Sequence, residues 1–186
     1  MVLQVFSMYS LADLGITAAN YNFGNLTSTG TFTASTTAAP TSVTVDDTDA
    51  QTNIFNDGAP GSFGAAPTAQ LLSGNVDGTV FVNVPSNPEN QFQVTDSNGV
   101  VVGSIYDLHN ANSASFASLQ GYVTDFELIP NETYSVVRVT GLPSASYDSF
   151  ITCFAEDTSI RTENGNVPIQ TLNVGDKVAT LDNGLQ

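Results

Sequence analysis

The chain has 186 residues, in which 18 acids face three bases, giving a net charge of −15 at neutral pH. That balance excludes a nucleic-acid binder, since little on the chain could neutralise phosphates, and it argues equally against docking on anionic membrane surfaces. Hydrophobic residues make up 41%, enough for a core, and a single cysteine excludes an internal disulfide framework. No apolar run reaches the length of a membrane-spanning helix.

The three bases are Arg138, Arg161 and Lys177, so none precedes Arg138. Few Lys and Arg beside abundant Gly, Thr, Ser, Asn and Asp is a composition associated with bacterial surface or secreted β-proteins. An extracellular or cell-surface location is expected. The first residues, MVLQVFSMYSLADLG, lack a basic n-region and a clear small-residue cleavage site. Export is therefore expected by a route other than an N-terminal Sec signal.

Residues 1–40 read as an N-terminal segment. It opens with a short helix over Ser10–Ala19, Ser10 serving as N-cap. A Thr/Ser/Ala-rich stretch follows from Leu26 to Thr41, of low complexity and with little to bury. Residues 41–142 read as a β-rich domain. Val43 and Val45 alternate with polar residues, and Val80, Val82 and Val84 alternate with Phe81. Phe92 and Val94 repeat the period of two. Asp96-Ser97-Asn98-Gly99 is a turn before the apolar run Val100–Tyr106, and Glu132–Val139 alternates again after Pro130-Asn131. Short strands between Gly/Pro/Asn/Asp turns predict an antiparallel, β-sandwich-like domain. Phe81, Phe92, Tyr106, Phe126 and Tyr134 are expected in its core, with a brief helix near Asn110–Leu119. Residues 143–152 read as a linker, with Pro143 and three serines. Residues 153–186 then run strand, turn, strand, and are too short to close a core alone.

The residues that carry chemistry lie in CFAEDTSIRTENGNVPIQTLNVGDKVATLDNG, from Cys153 onward. Cys153-Phe154, Thr158 and Ile160, Gly165, Leu172 and Gly175-Asp176 stand together at spacings that closely resemble the first block of Hint (hedgehog/intein-type) self-processing domains. The likeness is greatest to the bacterial type that follows a β-rich region, and the VTVDDTD run at 43–49 resembles that region more loosely. Asp157 departs from the pattern, since relatives usually carry Gly there. The resemblance implies a mainly β protein whose last 34 residues are the truncated, all-β start of a Hint domain. It implies that the Cys153 thiol attacks the Thr152 carbonyl, so that the substrate is the chain's own peptide bond. No cofactor is implied. In the family a Thr and a His from a later block assist. The one histidine here, His109, lies upstream of Cys153, so these 186 residues are expected to be inert by themselves.

Set apart from that motif, a lone cysteine is more often a buried, inert thiol. His109, in Asp107-Leu108-His109-Asn110, reads as a surface histidine in a polar turn. Asp46, Asp47 and Asp49, with Asp57, offer hard oxygen ligands to Ca²⁺, but match no EF-hand spacing, and a solvated acidic loop is the simpler reading. Glu127 and Glu132 flank a turn without the cleft that glycoside hydrolysis needs. The alternative to self-processing is a secreted or surface β-domain for adhesion to an unidentified cell-surface or glycan partner, with the Hint segment a relic.

Overall fold

A computed structural model describes residues 2–18, 29–47, 54–56, 70–110, 115–141, 143–150, 159–163, 165–173, 175–180 and 184–185. Its strands are β1 (Val2–Met8), β2 (Thr29–Thr33), β3 (Thr41–Asp47), β4 (Ile54–Asn56), β5 (Gln70–Val76), β6 (Thr79–Pro85), β7 (Asn87–Thr95), β8 (Val101–His109), β9 (Leu119–Thr124), β10 (Thr133–Arg138), β11 (Ser144–Ser146), β12 (Ser159–Thr162), β13 (Gly165–Pro168), β14 (Ala179–Thr180) and β15 (Gly184–Leu185). The chain divides into two compact units, Met1–Thr152 and Cys153–Gln186. It is mainly β with antiparallel pairing throughout, as expected.

In the first unit, β1-β3-β5-β6 form a four-stranded sheet and β2-β10-β7-β8-β9 a five-stranded one. The period of two in the sequence decides which side chains meet between them. Phe6, Met8, Val43, Val45, Leu72 and Phe81 of the first sheet share one buried cluster with Tyr106, Leu108 and Val123 of the second. Outward from the four-stranded sheet, Val80 and Val82 stand exposed. The β5–β6 hairpin closes through Asp77-Gly78, both at positive φ (47° and 82°). Asp-Gly is the pair that such a turn favours. Ser86 alone separates β6 from β7, so the chain changes sheet at a single residue.

The five-stranded sheet is buried on its other face too. There Phe92, Val94, Ile105, Tyr122, Tyr134 and Val136 meet Tyr9, Leu14, Ile16, Ala34, Ala38 and Leu128. This explains two differences from the sequence reading. Ser10–Gly15 is a set of turns rather than a helix. Tyr9 exchanges backbone hydrogen bonds with Tyr122 (2.8 and 3.0 Å), and its hydroxyl accepts from the Leu128 amide (3.1 Å). Those bonds pin the chain to the sheet, Leu14 and Ile16 turn inward, and burial outweighs local helical preference. The Thr-rich stretch likewise has something to bury. Its Phe32 lies on β2, 5% exposed and stacked on Tyr134 at 5.3 Å. The described residues among 1–40 are thus built into the sandwich, since β1 pairs β3 along its whole length. Of the predicted Asn110–Leu119 helix, one 3-10 turn is present at Phe116–Ser118, and residues 111–114 lie outside the described part. Four of the five predicted core aromatics are buried, and Phe126 packs against them partly buried.

The expected linker 143–152 is packed against the first unit as far as Phe150, with Pro143, Ala145, Tyr147 and Phe150 buried. β11 pairs β4, and Tyr147 and Phe150 are 2% and 4% exposed. Phe6, Phe55, Tyr147 and Phe150 lie at ring centroid separations of 5.4–6.5 Å, and Tyr106 meets Phe150 edge-on at 5.4 Å. The Tyr147 hydroxyl donates to buried Asp47 Oδ2 (3.0 Å). Serines flank this strap, but two aromatic rings decide its place, because each buried ring contributes about 2–3 kcal/mol.

Two outcomes follow from these contacts. Phe150→Ala should lower stability by roughly 3–5 kcal/mol, read as a lower urea midpoint at unchanged slope. A loss under 1 kcal/mol would mean that the strap is peripheral. The β7–β8 turn supplies a second. Backbone N–H bonds, first that of Val100 and then those of Asn98 and Gly99, hold the Asp96 carboxyl below the ordinary aspartate range. A lowered folded value means that its contribution is present above the unfolded value and is lost as pH falls through the folded one. An NMR titration should place the Asp96 midpoint below that of a peptide spanning the same turn.

Candidate functional site

The sequence directs attention to the junction of the two units. Thr152, Cys153, Phe154 and Thr158 lie outside the described residues. The remaining motif positions are turn-formers and half-buried apolar groups of the second unit. β12 and β13 form a hairpin in which Ile160 faces Val167. Gly165 opens β13 at φ 106° with free space where a Cβ would stand, so backbone angle rather than crowding demands glycine there. The Thr162 hydroxyl donates to the Gly165 carbonyl (2.8 Å). Leu172 closes a 3-10 turn by donating its N–H to the Ile169 carbonyl (3.1 Å). Gly175 again has positive φ, 104°. Asp176 Oδ2 accepts from the Asn173 amide (2.8 Å), and the Asp176 amide returns a bond to the Asn173 carbonyl (3.0 Å). The Gly-Asp pair therefore makes one turn with two distinct tools, a permissive backbone and a carboxylate clasp. Beyond it, Val178 bridges back to Thr162. No described residue of this unit is buried, and Ile160, Val167, Leu172 and Val178 remain half-exposed.

The acidic candidates fall apart in space. Asp46 and Asp47 are successive on β3, so their side chains leave opposite faces of the strand. Asp47 is fully buried and accepts from Tyr147 and from Gln70 Nε2 (3.4 Å), whereas Asp46 is half-buried. Asp49 and Asp57 lie outside the described residues. Glu132 Oε1 accepts from the Ser97 amide (3.1 Å), so it serves a turn.

The structure assembles one polar constellation that the sequence reading missed. His109 is fully buried rather than on the surface. The alternation of β8 places Asp107 and His109 on one face of the five-stranded sheet. His109 Nε2 stands 3.4 Å from Asp107 Oδ2, and His109 Nδ1 is 2.9 Å from Ser118 Oγ. Asp107 also accepts from the backbone and side-chain amides of Asn90 (2.7 and 2.8 Å). Ser118 Oγ reaches on to the Ser115 carbonyl (3.0 Å) and hydroxyl (3.1 Å). These are residue types of nucleophilic triads, but Asp107, His109 and Asn90 are closed off by the fold and Ser118 is only 8% exposed. The arrangement satisfies buried polar groups where three strands meet a 3-10 turn. The one available signal was the i, i+2 spacing of Asp107 and His109 within an apolar run. His109→Ala should cost roughly 2–4 kcal/mol in urea denaturation, because it removes a partner from a buried carboxylate. Ser115→Ala, at the exposed end, should stay within about 0.5 kcal/mol. Equal, small effects would mean that the network bears no load.

Residues 152–186 match the Hint domain family. No curated protein and no solved structure matches the chain. The match begins one residue before Cys153 and spans the turns built on Gly165, Gly175 and Asp176. Residues 152–186 are therefore similar to Hint domains, and they follow a mainly β unit.

Proposed function

We propose that this chain is the N-terminal portion of a self-processing protein whose scissile bond is Thr152–Cys153. The observation that carries the reading is the Hint match from residue 152, which places the chain's only cysteine at the second matched position. The Cys153 Sγ adds to the Thr152 carbonyl carbon and the C–N bond breaks. The acyl group passes to sulfur, and the thiol proton ends on the freed Cys153 amine. The product is a thioester, a better acyl donor than the amide it replaces. Nucleophile and carbonyl are neighbours in one chain, so no entropy is spent on bringing them together. Water or a second nucleophile then resolves the thioester, giving autoproteolysis, ligation or splicing.

The strap gives this reading a consequence for the released part. Tyr147 and Phe150 sit in the core just before Thr152. Cleavage at Thr152 thus leaves every core residue of the first unit on the same side of the cut. The β unit would leave as a folded cargo, in keeping with an extracellular or surface role.

Intact mass tests the proposal. The protein expressed from its whole reading frame is compared with Cys153→Ala, with and without added thiol. The wild type should yield a species ending at Thr152, faster with thiol, because thiol exchanges into the thioester. The variant should slow cleavage by at least roughly a hundredfold, as loss of a nucleophile does. If both proteins stay whole under all conditions, self-processing is wrong for this chain and its role lies in the β unit.

A further inference from the structure

The exposed apolar side chains of the first unit stand in different electrostatic surroundings. Val100 and Ile129 lie at the end of the sandwich that carries Asp96, Glu127 and Glu132. Leu3 lies on β1 in register with Asp46. Val137 belongs to β10, which has β2 on one side and β7 on the other, so its strand is already paired at both edges. Val80 and Val82 differ on both counts. They are 65% and 70% exposed, the highest values among these groups. They lie on β6, which ends its sheet and pairs β5 alone among the described strands. Residues 78–88 carry no charge.

An edge strand offers unpaired N–H and C=O groups to another strand, and natural edges are commonly blunted by lysine, proline or a bulge. β6 has no lysine, and its proline, Pro85, comes last. Its backbone leaves regular extension only at Asn83, φ 50°, near the register shift between Leu72 and Gly74 on β5. Residues 79–82 are therefore the stretch open to pairing. Charge selects the occupant. Each chain carries a net −15, so two copies meet closely only where neither brings an acid, and a cationic partner gains nothing from a neutral strand.

We propose that β6 pairs antiparallel with β6 of a second copy, about a two-fold axis at Phe81, so that two four-stranded sheets become one. The two-fold makes the contact self-complementary. Val80 of each copy then stands opposite Val82 of the other on the outer face, and β-branched cross-strand pairs of this kind are favourable. Asp77 of each copy falls opposite Pro85 of the other. The two Asp77 residues are thus separated by eight positions of strand, about 26 Å, well beyond the ~8 Å over which charges interact at physiological salt. Repulsion between the remaining acids keeps the association weak at low salt.

Sedimentation equilibrium of the full chain, from micromolar to millimolar protein and at low and high NaCl, tests the pairing. Val82→Lys is compared with Val137→Lys, which makes the same change of charge at an exposed valine of an interior strand. The expected result is a monomer–dimer equilibrium that tightens with salt. Val82→Lys should weaken it at least about tenfold and Val137→Lys should not, while amide exchange at Val80 and Val82 slows in the dimer. A chain that stays monomeric at every concentration and salt would overturn the proposal. So would equal weakening by both variants, or a dimer that Val82→Lys leaves intact, since the contact would then lie elsewhere.

Discussion

With Arg138 as the one lysine or arginine of the β unit, several of its carboxylates find their donors among neutral groups. Asp13 is held by the amide and hydroxyl of Ser10, and Asp47 by Tyr147 and Gln70. Asp96 is held by the Asn98 and Val100 amides, Asp107 by Asn90 and Asp125 by the Ser104 amide (2.6 Å). Backbone N–H groups recur among these donors. A carboxylate that accepts a backbone bond fixes a particular turn of the chain, whereas an exposed ion pair leaves two flexible side chains to be ordered. The acids are thus part of how the loops close.

The same constraint shapes the sandwich. Its five-stranded sheet is covered on both faces, by the four-stranded sheet on one side and by the Tyr9–Ile16 and Ala34–Ala38 segments on the other. Strands buried on both faces have no solvent side on which to leave polar groups. Asp107, His109 and Asn90 are therefore inside, and they persist there because they bond one another. Gly121 shows how tight the cover is. A Cβ at that position would lie 2.6 Å from the Tyr9 carbonyl oxygen, so the cross-sheet contact of Tyr9 with Tyr122 depends on a residue without a side chain.

The Hint segment was legible because its motif is made of local demands. Gly165 and Gly175 answer a backbone angle, and Asp176 clasps an amide three residues away. Requirements of that kind act over a few residues and leave a fixed spacing. The strap before it was less legible. Pro143 and the serines signal a connector, and only the rings of Phe6, Phe55 and Tyr106, distant in sequence, turn Tyr147 and Phe150 into core. His109 was misread for the same reason, since its neighbours Asp107 and Asn110 suggest solvent while its partner Ser118 is brought in by the pairing of β8 with β9.

By itself the sequence determined the class of the fold, the alternation that selects inward side chains, the turn at Asp96–Gly99, and the Hint-like block after Cys153. Each of these follows from residues within about ten positions of one another. The tertiary structure decided what depends on long-range pairing. It joined β1, the Tyr9–Ile16 turns and β2 to the sandwich, chose turns over a helix at Ser10–Gly15, buried His109 and seated the strap. It also set Asp77 beside Ser10, 67 positions apart. Burial of Leu14, Phe32 and Phe150 is worth more than the local preference of the residues around them, and which faces are available to bury them is fixed only when both sheets have formed.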